Sequence, residues 1–322
     1  MGINVLSCFD GISCGQVALE RAGIKYNSYF ASEIDKYAIQ ITHKNYPNTI
    51  NVGDVQFVTG QQFDAVGGID LLIGGSPCQG FSFAGKQLNF DDPRSALFFE
   101  FVRLKRELKP KYFLLENVKM KKEYQDIITE YLGVEPIEIN SALVSAQNRK
   151  RLYWTNIQGI EQPKDKFILL KDILEEHVDE KYYFHDRIGK SITGKNSINK
   201  IRTSLRESSQ KSKCLTASGQ GVSNAGSTNI VEYLKINKKL DLKTNQNKAS
   251  TLTGGAHSGG NHSDMDLLLF YDSIRRLTPI ECERLQTLPD NYTKGVSDTQ
   301  RYKMLGNGWA VDVIAHIFKN IK

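Results

Sequence analysis

The residue best suited to covalent chemistry lies in Gly74-Gly75-Ser76-Pro77-Cys78-Gln79-Gly80-Phe81-Ser82, which follows the apolar run Asp70-Leu71-Leu72-Ile73. The run reads as a buried strand, so Cys78 falls on a tight loop at a strand's C-terminal end. Open α/β sheets place their chemistry there. A thiolate in such a place is a potent nucleophile. A single cysteine is also commonly a small buried hydrophobe, so the assignment needs partners elsewhere in the chain.

Further segments supply candidates. Tyr112-Phe113-Leu114-Leu115 is a very apolar strand followed directly by Glu116-Asn117-Val118. A carboxylate at that boundary can work as a proton donor; it can equally cap the next helix. Gln147-Asn148-Arg149-Lys150-Arg151 precedes another strand, and alternate side chains point the same way, so Gln147, Arg149 and Arg151 are expected to share a face. Such a trio can hold phosphates or base edges, or simply solvate an edge strand. Near the N-terminus, Phe9-Asp10-Gly11-Ile12-Ser13-Cys14-Gly15 follows an apolar run. Gly11 and Gly15 permit a tight turn and close backbone approach to a ligand at a helix N-terminus. The spacing is not GxGxxG, so a pyrophosphate site is not indicated. The next strand ends in Ser32-Glu33-Ile34-Asp35, and an acidic residue there can accept hydrogen bonds from ribose hydroxyls. Together these point to an adenosine-containing ligand without a diphosphate.

The elements that must position these residues alternate. Strands are expected over Ile3–Cys8, Ser28–Ser32, Asp70–Ile73, Tyr112–Leu115 and Leu152–Asn156. Helices are expected over Gln16–Ala22, Lys36–Tyr46, Ser95–Leu108 and Lys122–Leu132. Repeated β–α units predict a parallel sheet covered by helices on both faces. From about Glu180 to Asp266, Ser, Asn, Gly, Thr and Lys dominate and apolar periodicity fades, which predicts a smaller, loop-rich region. Helical spacing returns after Arg275: Thr278 and Pro279 mark a helix start, Gln300–Leu305 is expected to stop at Gly306, and Ala310–Ile321 forms a last helix.

Composition narrows the class. The 40% hydrophobic and 24% charged residues suit a globular protein. No apolar run reaches the length of a membrane span, and the N-terminus has no export signal, so a cytoplasmic protein is expected. The five cysteines, Cys8, Cys14, Cys78, Cys214 and Cys282, contain no CxxC pair, so free thiols and no zinc site are expected. Net charge is +6, yet Glu180 to Phe270 carries 14 Lys/Arg against 7 Asp/Glu, so the remaining residues sum to −1. A near-neutral body with a basic segment suits a polyanionic partner. No helix shows a dimerising seam, so a monomer is expected.

Eight motifs then fall in one order: Phe9 to Gly15; Glu33; Gly53-Asp54-Val55; Ser76-Pro77-Cys78-Gln79; Glu116-Asn117-Val118; Gln147-x-Arg149-x-Arg151; Arg276-Leu277-Thr278-Pro279-x-Glu281-Cys282-x-Arg284-Leu285-Gln286; and Gly306-Asn307-Gly308. In this order they resemble the DNA cytosine-5 methyltransferase family across nearly the whole chain. The resemblance implies an α/β fold with a Rossmann-like, doubly wound, mostly parallel sheet of the class I methyltransferase type. A smaller, loop-rich target recognition domain would accompany it. The implied division is 1–175 catalytic and cofactor-binding, 176–272 target recognition, and 273–322 completing the catalytic domain.

The implied reaction moves the methyl group of S-adenosylmethionine to C5 of a cytosine flipped out of a specific double-stranded DNA sequence. S-adenosylhomocysteine is the product, and no metal takes part. By the same resemblance, Cys78 would attack ring C6, and Glu116 would bind and protonate N3. Arg151 would sit near the base carbonyl O2, while Arg149 would fix the catalytic loop and backbone phosphates. In the cofactor pocket, Phe9 and Ile34 would flank the adenine, and Gly11 and Gly15 would approach the methionine portion. Glu33 would bind the ribose, Asp54 and Val55 the adenine, and Pro77 and Asn307 would complete the pocket. Gln79, Ser82, Gln147, Thr251 and Leu252 would face the DNA, and 80–93 would form a loop that closes over it. A restriction endonuclease acting on the same site is the other partner the resemblance suggests. An RNA cytosine methyltransferase and an inactive DNA binder are the alternatives. The run Gln79-Gly80-Phe81-Ser82 and the basic segment favour DNA over RNA, and intact Cys78, Glu116, Arg149 and Arg151 favour an enzyme.

Overall fold

The computed structural model describes residues 2–76, 93–184, 267–270 and 273–322. Residues 80–92 of the expected closing loop and 185–266 of the expected recognition region lie outside the described residues. The chain forms two compact units.

The first unit comprises Met1–Asn140, Lys150–Pro163 and Trp309–Lys322. Its seven strands are β1 (Ile3–Cys8), β2 (Tyr26–Ser32), β3 (Ile50–Asn51), β4 (Leu71–Gly74), β5 (Tyr112–Val118), β6 (Ile137–Asn140) and β7 (Lys150–Thr155). They form one sheet in the order β3-β2-β1-β4-β5-β7-β6. The first five pair in parallel, whereas β7 runs antiparallel to both β5 and β6. β4 is buried along its whole length and β1 along all but its first residue, which is why both read as near-continuous apolar runs. Between the strands run α1 (Cys14–Ala22), α2 (Lys36–Asn45), α3 (Pro93–Leu108) and α4 (Lys122–Leu132). The helix α7 (Val311–Phe318) returns from the far end of the sequence to pack on α1. Leu6, Phe30, Leu72, Phe98, Phe101, Leu115 and Trp154 are part of a continuous core.

The expected α/β sheet is present, with two departures. β3 and β6 are only two and four residues long, too short to show a period. The strand expected from Leu152 is β7, and its antiparallel direction mixes an otherwise parallel sheet. Direction is not encoded in side-chain alternation, which has period two whichever way a strand runs.

The second unit comprises Ser141–Arg149 and Lys164–Gly308. A small antiparallel sheet, β8 (Tyr183–Phe184), β10 (Ser273–Arg276) and β9 (Leu267–Phe270), accompanies α5 (Pro279–Leu285) and α6 (Asp298–Asn307). The helix start expected at Thr278 is a capping box. Thr278 N donates to Glu281 at 2.8 Å, and Glu281 N donates to Thr278 Oγ1 at 3.2 Å. α6 does not stop at Gly306 but runs on to Asn307, with Gly308 as its cap.

These bounds differ from the expected division, because 164–175 and 273–308 pack together with 141–149. Ser145 Oγ donates to the Leu285 carbonyl at 2.6 Å, and Lys166 N to the Leu143 carbonyl at 2.8 Å. At the centre is a buried ion pair. Both Arg275 terminal nitrogens donate to Glu281, at 2.8 and 2.7 Å, and Glu175 N donates to it at 3.0 Å beside Thr278 N. The two side chains are 1% and 0% exposed. Removing one partner of such a pair strands a buried charge, so Arg275→Met is expected to cost about 3–5 kcal/mol of stability in urea denaturation. A loss below about 1 kcal/mol, the range of exposed pairs, would show that the pair does not hold this unit.

Candidate active site

The order β3-β2-β1-β4-β5 reverses direction between β1 and β4, and ligands in open α/β sheets bind outside the strand ends at such a switch point. The ends lie in register here: Cys8 pairs with Ser32 on one side and Gly74 on the other, and Gly74 pairs with Leu115. The loop Phe9–Gly15, Glu33 and Gly75-Ser76 follow those ends, and Glu116, within β5, comes directly after Leu115.

The first loop is tightly coiled. Phe9, Gly11 and Ser13 have φ of 58°, 61° and 59°, all left-handed. Gly11 N donates to Glu33 at 2.8 Å, and Ile34 N and Asp35 N donate to the other Glu33 oxygen, each at 2.8 Å. A carboxylate has about four acceptor positions, so about one remains for an incoming hydroxyl. Asp10 accepts from Ser13 Oγ at 2.6 Å and Tyr29 Oη at 2.7 Å. Burial pushes its carboxyl up to about 6, against the hydrogen bonds from Ser13, Ser7 and Tyr29. Gly15 also has a packing role. A Cβ there would meet Tyr29 Oη at 2.5 Å and Ile73 Cδ1 at 2.6 Å, so its small size serves internal packing. Asp54 caps the short turn Val55–Phe57 by accepting from Gln56 N at 3.0 Å. Val55 is buried, whereas Ile34 is 72% exposed.

Glu116 lies inside β5, not after it, and the N-cap position of the next helix is Lys121, so the capping alternative falls away. Arg151 Nε sits 3.0 Å from Glu116 Oε1. The antiparallel pairing explains the contact: Val118 faces Arg151, and Glu116, two residues earlier on the same face, becomes the diagonal neighbour.

Two participants escaped the sequence reading. A Cβ on Gly75 would lie 2.9 Å from Trp309 Nε1 and 3.2 Å from Glu116 Oε2, so glycine lets this backbone run beside both groups. Asn117 Nδ2 donates to Ser76 Oγ at 3.1 Å, fastening the residue two before Cys78. Both contacts join residues far apart in sequence, and no local pattern reports them.

Arg149 belongs to the second unit and is buried. Its guanidinium donates to the Gly308 carbonyl at 2.9 Å and to that of Gly306 at 3.4 Å. Gln286 Nε2 donates to the Leu305 carbonyl at 2.5 Å and to Gly308 at 3.2 Å. The carbonyls left unpaired at the end of α6 are thus taken by side chains. Arg149, expected to fix the catalytic loop and backbone phosphates, holds these backbone carbonyls. The extended trio is also broken, since β7 begins only at Lys150. Gln147 is buried, and its amide has no hydrogen-bond partner among the described residues. Asn307 is exposed at the end of α6. Pro77, Cys78, Gln79, Ser82, Thr251 and Leu252 lie outside the described residues. Among the described residues no cluster of three His, Cys, Asp or Glu side chains could hold a metal, and no helix is long and apolar enough to cross a membrane.

Residues 3–322 match the family model described as C-5 cytosine-specific DNA methylase. The Type II methyltransferase M1.ScrFI of Lactococcus lactis subsp. cremoris is 32% identical over 97% of this chain and 76% of its own length. The orphan methyltransferase M.SPRI of Bacillus phage SPR is 27% identical over 99% of this chain and 97% of its own. Among solved structures, the methyltransferase EhMeth of Entamoeba histolytica superposes with a TM-score of 0.73 at 18% identity, covering 100% of this chain and 99% of that one. The last likeness is one of fold, and it agrees with the sheet described above.

Proposed function

Because the chain belongs to the C-5 cytosine-specific DNA methylase family, we propose that it methylates C5 of a cytosine flipped out of a specific double-stranded DNA sequence, through a covalent bond from Cys78 to C6. The observation that most supports this is the Glu116–Arg151 pair, 3.0 Å apart at the sheet edge onto which β4 also opens. A carboxyl group and a guanidinium side by side offer an acceptor and donors, matching the exocyclic amine, N3 and O2 of cytosine.

Cys78 Sγ forms the bond to C6 as the C5–C6 π bond breaks, and its electron pair moves toward C5 and the N3 side of the ring. Glu116, in its protonated form, gives a proton to N3 as that charge builds and takes it back when the C5–C6 double bond returns. Arg151 steadies Glu116 and the charge developing at O2. S-adenosylmethionine, when bound, supplies the electrophilic methyl group. Loss of the C5 proton then restores the C5–C6 double bond, and Cys78 leaves with the electron pair of its bond to C6.

The first unit suits that donor. Glu33 keeps an acceptor position for a ribose hydroxyl, Ile34 is an exposed apolar side chain beside it, and the coiled loop from Phe9 contains no pyrophosphate cradle. Phe9, Gly11, Glu33, Ile34, Asp54, Val55 and Pro77 would hold it, with Asn307 near its carboxylate. Gly15 would act by letting the loop pack, and Arg149 by holding α6. The DNA would be met by Gln79, Ser82, Gln147, Thr251, Leu252 and the basic segment. Bisulfite sequencing of plasmid DNA from a methylation-free host expressing the chain tests the proposal. Protected cytosines in one short recurring context are expected. Full conversion of all sites in the presence of folded protein would exclude DNA as the substrate.

A further inference from the structure

We infer that Gln16 is a positioning residue for the donor loop Phe9–Gly15: buried behind the loop, its amide orients Ser13 and, through Ser13, Asp10. The inference rests on the reading that this loop borders the methyl donor. Ser13 carries φ +59°, a conformation that few residues with a β-carbon adopt unless their surroundings enforce it. It precedes α1, yet its hydroxyl does not cap that helix. It donates to Asp10 Oδ2 at 2.6 Å and accepts from Gln16 Nε2 at 2.9 Å.

Gln16 is enclosed in the core behind the loop. It is 2% exposed, so it cannot itself reach a ligand. Its second amide hydrogen goes to Thr49 Oγ1 at 2.7 Å, and its carbonyl oxygen accepts from Tyr26 Oη at 2.9 Å. The donations run in one direction, from Tyr26 to Gln16 to Ser13 to Asp10, and Tyr29 Oη reaches the other Asp10 oxygen at 2.7 Å. Every hydrogen in this chain therefore has one place to go, and the chain ends on an acceptor-only carboxylate. Among the loop's fastenings, Glu33 holds Gly11, and Gln16 holds Ser13 and, through it, Asp10.

Three variants test this: Gln16→Leu, Tyr26→Phe and, as a control on the loop's assignment, Glu33→Ala. S-adenosylhomocysteine binding is measured by calorimetry, and steady-state kinetics are run with S-adenosylmethionine and DNA varied separately. Gln16→Leu removes two donated bonds and one accepted bond. It is expected to raise the donor KM and the product Kd roughly tenfold, while kcat at saturating donor and the DNA KM stay within about twofold. Tyr26→Phe should give the same split, about threefold. It carries the test alone if Gln16→Leu does not fold. A Gln16→Leu protein with unchanged donor affinity beside a weakened Glu33→Ala overturns the inference and leaves the donor assignment standing. Unchanged affinity in both sinks the loop assignment itself. A parallel fall in kcat and DNA affinity would mark Gln16 as a general structural residue and overturn its positioning role.

Discussion

Cys78→Ser is expected to lower methyl transfer by roughly four to six orders of magnitude, the cost of deleting a covalent nucleophile. A serine hydroxyl is almost wholly protonated at neutral pH and, unlike a thiolate, has no activating base assigned beside it. The rest of the surface is unchanged, so S-adenosylhomocysteine and DNA should bind about as before. Two readouts separate chemistry from binding: incorporation of labelled methyl into DNA, and a denaturation-resistant adduct on DNA containing 5-fluorocytosine. The unaltered chain should form the adduct and the variant should not. An adduct of equal yield with Cys78→Ser would move the nucleophile elsewhere.

Glu116→Gln should have the next largest effect, a fall in kcat of about 10²–10⁴, the usual worth of a positioned proton donor. The amide keeps the size of the carboxylate at a place enclosed by Gly75 and Arg151, so folding should survive. It cannot deliver a proton to N3. It also leaves Arg151, whose side chain is 11% exposed, without its charged partner. Donor affinity should move little, because Glu33 and the Phe9 loop lie at other strand ends. Unchanged kcat would remove Glu116 from the chemistry and leave the ion pair a structural one.

Chemistry-bearing residue types were legible in the sequence where a strong apolar run ended on them. β1, β4 and β5 are such runs, and the residues following them stand at one sheet edge because their ends are in register. What stayed hidden has a common cause, which is contact across sequence distance. The Glu116–Arg151 pair depends on the antiparallel direction of β7. Gly306 looks like a helix stop, yet α6 continues because Arg149 and Gln286 satisfy its last carbonyls. The charge of Arg149 was visible in the sequence, but its burial against the end of α6 was not. Trp309 and Asn117 carry no local signal, since each acts on a partner that only the fold brings close.

The return of α7 onto α1 also fixes a timetable. Arg21 and Asp312, bridged at 2.6 Å on these helices, are 291 residues apart in sequence. At translation speeds of ~5–20 residues per second, α1 leaves the ribosome roughly 15–60 s before its cover exists. Residues Cys14–Leu19 of α1, all buried in the finished protein, have no native neighbour from α7 during that interval. Closing a loop of that length is entropically slow and exposes the early chain to misassociation. The unit that contains α1 is therefore completed only after the last segment of the second unit has been made.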